Sequence, residues 1–591
     1  MDQPAAFLGV EKSACGRRWI SRAADDRSAL AIAQRHSLPD AVARLLAARG
    51  VLIDDVGDFL EPTLRRFLPD PSHLKDMDAA IARLADAVAR GEKIAVYGDY
   101  DVDGATSSAL LLRFFRSIGA DIVAYIPDRI VEGYGPNAAA LLKLKQQGVA
   151  VTVTVDCGIT AFAPLDTAAD AGLDMIVIDH HVAEPRLPRA VAVVDPNRLD
   201  ETSPHRQMAA VGVAFLLIVG VNRALRLAGH YTANRPEPDL RQWLDLVALG
   251  TVCDVVPLTG INRAFVRQGL RVMRERKNAG LVALGDVARI NEAPGTFHAG
   301  FLLGPRVNAG GRVGQADMGT RLLSTDDPHE AGALALRLDQ FNTERRAIEQ
   351  AVLDAALARI GEPAVLPPAI VVMDDGWHPG VIGIVASRLV ERFHRPVFVI
   401  GFDGEVGKGS GRSVRGVDLG SIVIAARQSG LLMNGGGHAM AAGLTVARGM
   451  AEAFAAFMIE RVAAQASNGT LEASLSLDGA LAAGGLTMDF LNTLERCAPF
   501  GVGNPEPRFA LPSMVVSWSQ PVGENHVRCH LTSSDGARVN AIAFRAGGRP
   551  LGEALTQAGG APMHIAGVAR VNRWNGREDV QFQIEDAAVA R

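Results

Sequence analysis

Cysteine is scarce in this sequence: it has five in 591 residues, and no two are spaced as Cys-x-x-Cys. An odd number of scattered cysteines predicts reduced thiols in the cytoplasm and argues against a disulfide framework or a structural zinc. Long apolar runs are also missing, since the longest, residues 211–221, is too short to span a bilayer. The first residues show no basic region followed by an apolar segment, so we expect neither a secretory signal nor membrane contact.

An excess of positive charge is absent as well, because the formal net charge is −5. Nucleic-acid-binding proteins usually carry a basic surface, so a nucleic acid partner would require positive charge that is concentrated locally. The hydrophobic content of 48% and charged content of 21% are those of an ordinary globular protein. A chain of this length predicts three or four domains.

A run of three aspartates follows a short apolar segment near residue 100. Residues 94–97 predict a buried strand, and residues 109–118 predict an amphipathic helix. Asp99, Asp101 and Asp103 therefore lie at the carboxyl end of a strand, where open α/β sheets bind ligands. Alternation along extended backbone places all three on one side, where converging carboxylates require a cation. A solvated acidic turn that caps a helix is the alternative interpretation.

Three later segments repeat this arrangement. Two β-rich runs, residues 151–155 and 174–178, and one helical pattern, residues 243–249, are each followed by aspartate or histidine. A lone aspartate after a strand is usually a turn residue, but four such ends together indicate a metal site. Because the carboxyl ends of parallel strands meet at one edge, we expect these groups to gather there. The groups that follow the three segments are Asp156, Asp179, His180, His181 and Asp254.

The succession of strand and helix patterns predicts an α/β protein with several domains. A parallel sheet covered on both faces comes first, and a long helix leads to a smaller α/β domain and then to a β-barrel. We expect Arg17–Trp19, in the lead-in, to be a surface patch. The predicted bounds are 1–76 for an N-terminal helical lead-in, 77–325 for the parallel-sheet domain, 326–362 for the long helix, 363–466 for the smaller α/β domain and 467–591 for the barrel.

Positive charge is concentrated in two places. Arg263, Arg267, Arg271 and Arg274 share one face of a predicted helix and could track a phosphate backbone. A solvated charged face is the alternative, and it is the commoner one. In the predicted barrel, residues 569–577 place three arginines around a tryptophan, a combination with which such barrels bind single strands.

Glycine is concentrated in residues 407–413 and 435–443, beside serine, arginine and histidine. We expect these segments to form loops whose backbone N–H groups and side chains meet an anion. Tight turns without a ligand are the alternative for either segment alone.

The motifs GDYDVDG (98–104), VDCG (155–158), DHH (179–181) and GTVCDVVPL (250–258) resemble the four signature motifs of the DHH phosphoesterase superfamily. Their order and spacing are most similar to the RecJ family of bacterial single-strand-specific 5′→3′ DNA exonucleases. GPRVNAGGR (304–312) resembles a further signature of that family. WHPGVIGIVASR, GSGRS and GGGHAMAAG, all within 377–443, resemble the DHHA1 domain. The resemblance covers nearly the whole chain, and it implies DHH, DHHA1 and OB-like domains in that order.

The resemblance implies hydrolysis of a phosphodiester with two Mn²⁺ or Mg²⁺ ions. The implied metal ligands are Asp101, Asp103, Asp156, His180 and Asp254, with Asp156 bridging both ions. His181 would contact the scissile phosphate, and Asp99 and Asp179 would orient the ligands. Manganese-dependent pyrophosphatases of the superfamily have a ligand histidine where this chain has Tyr97, which argues against that branch.

The resemblance also implies contacts with the substrate. Arg129 would bind a phosphate and Tyr134 the terminal nucleotide, while Ser410 and Arg412 would bind the terminal 5′-phosphate. The full set of implied substrate-binding residues is Arg129, Tyr134, Arg306, Asn308, Arg312, Ser410, Arg412, His438, Arg573 and Trp574.

The predicted function is removal of mononucleotides from the 5′ end of single-stranded DNA, in DNA repair and recombination. A single-stranded-DNA-binding protein and a helicase are the implied partners, and we expect a monomer. One alternative is a phosphodiesterase of short oligonucleotides or cyclic dinucleotides, although such enzymes usually lack the barrel. A catalytically dead single-strand-binding scaffold is the other, but every implied ligand position is filled.

Overall fold

The computed structural model describes residues 5–22, 24–128, 132–361, 365–466, 471–574 and 577–590, without the side chains of Trp574 and Arg577. The chain forms two compact units. We call Glu61–Arg346 with Ala498–Pro505 the parallel-sheet unit. The barrel unit contains the segments up to Leu60, Ala347–Cys497 and from Glu506 onward.

The strands are β1 Arg18–Ser21, β2 Lys93–Gly98, β3 Ile122–Tyr125, β4 Val149–Val155, β5 Asp174–Ile178, β6 Ala192–Val194, β7 Ile370–Asp375, β8 Val397–Asp403, β9 Val406–Arg412, β10 Asn434–His438, β11 Ala441–Ala447, β12 Ser474–Leu477, β13 Gly479–Ala480, β14 Phe509–Val522, β15 His526–Thr532, β16 Arg538–Ala543, β17 Pro562–Trp574 and β18 Arg577–Val589.

The α-helices are α1 Asp26–His36, α2 Asp40–Ala48, α3 Val56–Leu60, α4 Leu64–Phe67, α5 Met77–Arg90, α6 Val102–Ser117, α7 Ala138–Gln146, α8 Phe162–Asp170, α9 Ala210–Leu227, α10 Leu244–Cys253, α11 Gly260–Arg274, α12 Ala279–Val287, α13 Gly304–Val313, α14 Met318–Ser324, α15 Pro328–Ile360, α16 Ile382–Phe393, α17 Leu419–Gln428, α18 Ala451–Gln465, α19 Met488–Glu495 and α20 Pro550–Thr556. A π-helical turn, His298–Leu303, leads directly into α13.

The parallel-sheet unit is built on five parallel strands in the order β3-β2-β4-β5-β6. Alternate side chains enter opposite cores, because successive residues of a strand point to opposite faces. On β2, Ile94 and Val96 pack among residues of α5, α6 and α9, whereas Ala95 and Tyr97 pack among residues of α7 and α8. Burial of both faces explains the nearly continuous apolar strands, and the predicted parallel sheet is confirmed.

Helix α9 is long and apolar enough to cross a membrane by length and composition alone. Its most apolar stretch is 72% buried inside the protein. Ala214, Leu217 and Val221 lie in the same core as Phe114 of α6 and Leu84 of α5. We therefore interpret α9 as a core helix of the parallel-sheet unit.

The barrel unit contains a second sheet, ordered β10-β11-β9-β8-β7, in which only β7 and β8 run parallel. The glycine-rich segments that we expected to be loops lie mainly in its strands β9, β10 and β11, so that expectation is wrong. A Cβ atom at Gly411 would lie 2.5 Å from the ring of Phe398 on the neighbouring strand. Glycine at this position lets the large ring of Phe398 pack across the strand.

The C-terminal strands close into a barrel, as predicted. Their order is β14-β15-β16-β18-β17, and β17 pairs back with β14. Closure pairs every edge of the ring, which leaves its outer surface as the place for a ligand.

The N-terminal segment is not only helical. Strand β1 pairs in parallel with β12 of the barrel unit. Trp19 is wholly buried, and its indole N–H donates to Asp586 at 3.1 Å. Arg17 forms an ion pair with the same carboxylate at 3.1 Å. The expected surface patch at Arg17–Trp19 is therefore wrong, because the partner of these residues lies more than 500 positions away in the sequence.

The long helix predicted between the two α/β regions is present as α15. It runs from Pro328 to Ile360, and the boundary between the two units falls inside it, after Arg346.

Replacement of Trp19 by alanine tests the burial of β1. We expect Trp19→Ala to lower the free energy of unfolding of the barrel unit by about 3–5 kcal/mol, because it removes a fully buried indole and leaves Asp586 without its donor. Thermal unfolding followed by calorimetry measures the change. Leu52→Ala, at a residue that is 68% exposed, is the control. Equal melting temperatures for the two variants would contradict this account.

Candidate metal centre

Four of the five parallel strands are followed by an aspartate at the same edge of the sheet. Asp99 follows β2, Asp156 follows β4, Asp179 follows β5 and Asp195 follows β6. Asp156 has a φ of 61°, a left-handed conformation that is uncommon for residues other than glycine. Such conformations are concentrated at functional sites, where the surrounding structure enforces them.

The extended backbone that the alternation rule assumed for the GDYDVDG motif is wrong. Helix α6 begins at Val102, and Asp101 caps it by accepting a hydrogen bond from the N–H of Gly104 at 3.1 Å. Asp103 therefore lies in the first turn of a helix. A Cβ atom at Gly104 would lie 2.4 Å from the carbonyl oxygen of Asp99, so the tight turn requires glycine.

The carboxylates and imidazoles form three overlapping groups. In each group the ligand atoms lie within 4.8 Å of one another. Asp156 and His180 each belong to two groups, which links all three into one cluster. The groups are Asp99, Asp101 and Asp156; Asp156, His180 and His181; and Asp103, His180 and Asp254.

The donor atoms of this cluster point at one another without hydrogen bonds between them. His180 Nε2 lies 3.2 Å from Asp156 Oδ1 and 3.9 Å from Asp103 Oδ2, and His180 Nδ1 lies 3.6 Å from Asp254 Oδ2. Within the described residues, Asp156 Oδ1, His180 Nε2 and Asp254 Oδ2 are buried and have no hydrogen-bond partner. A divalent cation would satisfy all of these atoms, so the residues fit a metal centre.

Neighbouring backbone groups hold the outer atoms of the cluster in place. Both oxygens of Asp103 accept hydrogen bonds at the start of α9, from the N–H groups of Ala210 at 2.6 Å and Val211 at 3.0 Å. Asp179 accepts from the N–H of Ile159 at 3.0 Å and from the N–H of His180 at 2.8 Å. These bonds orient the side chains from outside the centre.

Burial and crowding make the carboxylates reluctant to ionise. Burial, with the charges of neighbouring aspartates, raises the pKa of Asp103 to about 7. The same causes raise the pKa of Asp254 to about 7 and move that of Asp156 upward. Cations are the means by which such a cluster can carry several negative charges at neutral pH.

The two adjacent histidines differ in charge. Burial lowers the pKa of His180, which favours the neutral imidazole that can bind a metal. Burial also acts against the charged form of His181, but a hydrogen bond to Asp179 at 2.7 Å and the charge of that carboxylate raise its pKa to about 9. His181 is thus a cation beside the cluster and suits contact with a phosphate.

Tyr134 also reaches the centre. Its hydroxyl donates to the backbone oxygen of Asp156 at 3.1 Å and lies 3.4 Å from His181 Nδ1. Arg129, predicted from the same loop, lies outside the described residues. Tyr97 does not belong to the centre. It packs in the core that contains residues of α7 and α8, where its ring stacks on Tyr125 with the ring centres 5.2 Å apart.

The GPRVNAGGR motif lies in α13. A Cβ atom at Gly311 would lie 3.0 Å from the backbone oxygen of Tyr100, so α13 packs against the turn between Asp99 and Asp101. Asn308 and Arg312 belong to the same helix. Arg306 forms an ion pair with Asp339 at 2.9 Å.

The predicted contacts of the DHHA1 region lie in the barrel unit. Arg412 Nη1 donates to Ser410 Oγ at 3.1 Å, both on β9. Gly383, in the first turn of α16, is so close that a Cβ atom there would lie 2.9 Å from Ser410 Oγ. His438 is exposed at the end of β10. An arginine, a hydroxyl and the start of a twelve-residue helix are groups of the kind that bind anions in proteins.

On the barrel, Arg573 forms an ion pair with Glu578 at 2.8 Å, and the side chain of Trp574 is not described. Sequence reasoning missed a second aromatic surface, on β14–β16. The rings of Trp518 and His530 are tilted against each other by 35° with their centres 4.8 Å apart, and His526 and Phe544 meet edge to face at 5.2 Å. The alternation of polar and buried residues along β15 was the signal that could have revealed it.

Comparison with known proteins gives consistent matches along the chain. The DHH family, N-terminal domain, matches residues 93–251, the DHHA1 domain matches 367–464 and the RecJ OB domain matches 477–586. The single-stranded-DNA-specific exonuclease RecJ of Bacillus subtilis is 35% identical over 97% of this chain and 71% of its own. RecJ of Escherichia coli is 35% identical over 93% of this chain and 96% of its own.

Solved structures agree with these matches. Thermus thermophilus RecJ in complex with Mn²⁺ aligns with a TM-score of 0.79 at 31% identity, covering 95% of this chain and 78% of that one. Its complex with Mg²⁺ aligns with a TM-score of 0.74 at 30% identity, covering 95% and 76%.

The chain has a DHH core with a buried cluster of carboxylates and histidine, followed by DHHA1 and OB domains. These features define the protein as a DHH phosphoesterase with a C-terminal barrel. Within that class, the chain belongs to the RecJ family.

The pKa shifts predict how pH governs metal binding. Folded pKa values of about 7 for Asp103 and Asp254, against an ordinary 3.8, mean that these groups stabilise the metal-free fold at acidic pH. That contribution is lost as pH rises through about 7. Since metals bind deprotonated carboxylates, we expect Mn²⁺ to raise the melting temperature more at pH 8 than at pH 6.

Asp156→Asn should abolish most of this rise. Asp245→Asn is the matched control, because burial also raises the pKa of Asp245 to about 7 in the same unit but outside the cluster. Equal rises at both pH values, or an undiminished rise in Asp156→Asn, would contradict the assignment.

Proposed function

We propose that this protein is a cytoplasmic, metal-dependent exonuclease that hydrolyses single-stranded DNA from its 5′ end to mononucleotides. The observation that carries this proposal is the buried donor cluster at the edge of the parallel sheet, in a chain similar to RecJ exonucleases over nearly its full length. DNA repair and recombination are the processes that require such an activity. A single-stranded-DNA-binding protein and a helicase are proposed partners of a monomeric enzyme.

The cluster divides into two overlapping metal sites. Asp101 and Asp156 would form one, and Asp103, His180 and Asp254 would complete the other, with Asp156 shared. Carboxylates with one imidazole suit Mn²⁺ and admit Mg²⁺, the ions present in the Thermus thermophilus RecJ structures. When bound by these residues, two such ions would supply an activated water for attack on a phosphodiester and would neutralise charge on the phosphate oxygens.

The protein groups around the cluster bind and orient the phosphate. His181, charged through Asp179, would donate to a non-bridging oxygen of the scissile phosphate. Tyr134 would contact the terminal nucleotide from the same side. Asp99 lies close enough to Asp101 and Asp156 to orient them or to share a metal ion. Arg306, Asn308 and Arg312 would contact the backbone of the strand.

The 5′→3′ direction of digestion would come from recognition of the 5′-terminal phosphate. Ser410 and Arg412 lie beside the start of α16, and burial lowers the pKa of Arg412, which lacks a carboxylate partner among the described residues. A 5′-phosphate would supply the missing negative charge. His438 is a further proposed contact.

Strand choice would depend on the barrel as well. Trp518, His530 and Phe544 are exposed on or directly after strands β14–β16, as is Arg528 of β15, and Arg573 with Trp574 lies on the β17–β18 hairpin. Stacking requires unpaired bases, so this surface would favour a single strand over a duplex.

A direct assay uses 5′-phosphorylated single-stranded DNA labelled at its 3′ end, with Mn²⁺ or Mg²⁺. We expect stepwise shortening from the 5′ end, which EDTA abolishes and Asp156→Ala lowers by at least about a thousandfold, since it removes the shared ligand. Asp245→Asn should retain activity. Cleavage of a dinucleotide alone would identify a small-substrate phosphodiesterase, and binding without products would identify a scaffold.

The terminal-phosphate pocket has its own test. Arg412→Leu should raise KM for 5′-phosphorylated DNA by about tenfold or more, because a charge-assisted hydrogen bond contributes roughly 1.5–3 kcal/mol, and should affect 5′-hydroxyl DNA much less. Lys408→Ala, an exposed residue two positions before Ser410 on the same strand, is the control. A similar rise in KM for both substrates would contradict a role of Arg412 in recognising the 5′-phosphate.

The stacking surface predicts a dependence on substrate length. Trp518→Ala combined with Phe544→Ala should weaken binding of a 20-nucleotide strand by about tenfold or more, since each stacked base contributes roughly 1–3 kcal/mol. A four-nucleotide strand should be affected less. Fluorescence anisotropy with Ca²⁺ measures binding without cleavage, and Val589→Ala, an exposed apolar residue of β18, is the control. Unchanged binding of the 20-nucleotide strand would show that the strand does not contact Trp518 and Phe544.

A further inference from the structure

The segment between the barrel unit's α19 and β14 enters the parallel-sheet unit. Its residues, Ala498–Pro505, separate two sequence stretches that belong to the barrel unit, yet they pack in the unit that contains the metal centre. We call this segment the insert. Asn504, near its end, is 1% exposed. Pro499 is buried as well, whereas residues 501–503 are exposed, so the insert is anchored in this unit near both of its ends. A flexible linker would have no such anchors, and their presence requires an explanation.

Arginines of α11 bind the insert through its backbone. Arg263 is 2% exposed, and its guanidinium donates to the carbonyl oxygens of Ala498 at 2.9 Å and Pro499 at 3.3 Å. Arg267 donates to Ala498 as well, at 2.9 Å. The predicted arginine stripe is therefore neither a phosphate track nor a solvated face at these two positions, because both side chains bind protein carbonyls. Arg271, one turn further, instead pairs with Glu61.

The insert is bonded to the loop that follows Asp254. The N–H of Leu258 donates to the carbonyl oxygen of Val502 at 2.7 Å. Gly501 packs so closely that a Cβ atom there would lie 2.7 Å from Leu258 Cδ1, and one at Gly503 would lie 3.1 Å from Pro257 Cβ. Leu258 lies four positions after Asp254. The insert therefore fixes the end of the short loop that begins at Asp254.

The backbone of Asp254 is held at the end of α10, where its N–H donates to the carbonyl oxygen of Gly250 at 2.9 Å. Its Oδ2 atom has no hydrogen-bond partner among the described residues. The next residue, Val255, has a φ of 63°, which is strained for a β-branched side chain. A strained turn persists only where its surroundings impose it. Helix α10 supplies one anchor before Asp254, and Leu258 supplies the other after it.

We propose that the insert is a positioning element of the metal centre, which holds the Asp254 loop through Leu258 and is itself held by Arg263. This inference rests on the metal assignment made under the proposed function. Residues that orient metal ligands from outside typically change affinity by about 10–100-fold when altered. The insert would act on the site that includes Asp254 and leave the site of Asp101 nearly unchanged.

The test compares Mn²⁺ binding to the full-length protein, without DNA, by electron paramagnetic resonance of the free ion. Arg263→Lys keeps the charge, but one ammonium group cannot reproduce the fork that binds two carbonyls. We expect it to weaken one of the two Mn²⁺ sites by about tenfold or more and the other by less than about twofold. Arg271→Lys, the same change on the same helix away from the insert, should bind as the wild type does.

Gly501→Val is the second variant, since its side chain would displace Leu258 while Arg263 remains. Gly485→Val, at an exposed glycine with open space around it, is its control. We expect Gly501→Val to reproduce the selective loss, with near-normal cleavage restored at saturating Mn²⁺. Should Arg263→Lys fail to fold, Gly501→Val decides the question.

Two results would overturn the proposal. Wild-type affinity at both sites in a folded variant would make the insert a linker only. A parallel loss at both sites, matched by a lower melting temperature, would make it a general stabiliser of the unit. Failure of the wild-type protein to cut DNA would overturn the proposed function instead, and it would leave the comparison of Mn²⁺ affinities valid.

Discussion

Carboxylates buried together repel one another, and the groups around the metal centre of the parallel-sheet unit are arranged to offset that repulsion. Asp103, Asp156 and Asp254 converge where parallel strands end, and burial raises the pKa of each. The fold provides partial relief through backbone N–H groups at the start of α9 and through the charged ring of His181. These groups leave part of the negative charge of the carboxylates uncompensated, and divalent cations are needed to balance it. Burial of the carboxylates therefore creates the requirement for the cofactor.

The DHH pair shows how strongly surroundings determine chemistry. His180 and His181 are neighbours of identical type, but only His181 has a carboxylate oxygen at 2.7 Å. One ring is therefore biased towards the neutral ligand form and the other towards the cation. A single Asp179 carboxylate, fixed by backbone N–H groups, is enough to separate the two roles.

The sequence was most informative where spacing and periodicity are local. Apolar runs followed by aspartate or histidine predicted the parallel sheet and the edge at which the cluster forms, and the period of α15 predicted its full length. Predictions failed where long-range packing decides. The partner of Trp19 is Asp586, and the carbonyls that bind Arg263 lie more than 200 positions away. No local pattern contains that information.

The glycine-rich strands show a related limit. Glycine at position 411 suggested a loop because glycine favours turns, but here it makes room for the ring of Phe398. Composition alone cannot separate these two uses of glycine, since the deciding atom belongs to a neighbouring strand.

The pairing of β1 has a consequence for biosynthesis. Strand β1 needs β12, and Trp19 needs Asp586, so residues 18–21 have no partner until segments several hundred positions later have been synthesised. The parallel-sheet unit likewise remains incomplete until residues 498–505 emerge. Contacts between such distant positions form slowly, because a long chain must close before they stabilise anything. Residues 18–21 therefore stay unpaired during much of synthesis, and chaperones that cover them in that time would limit aggregation.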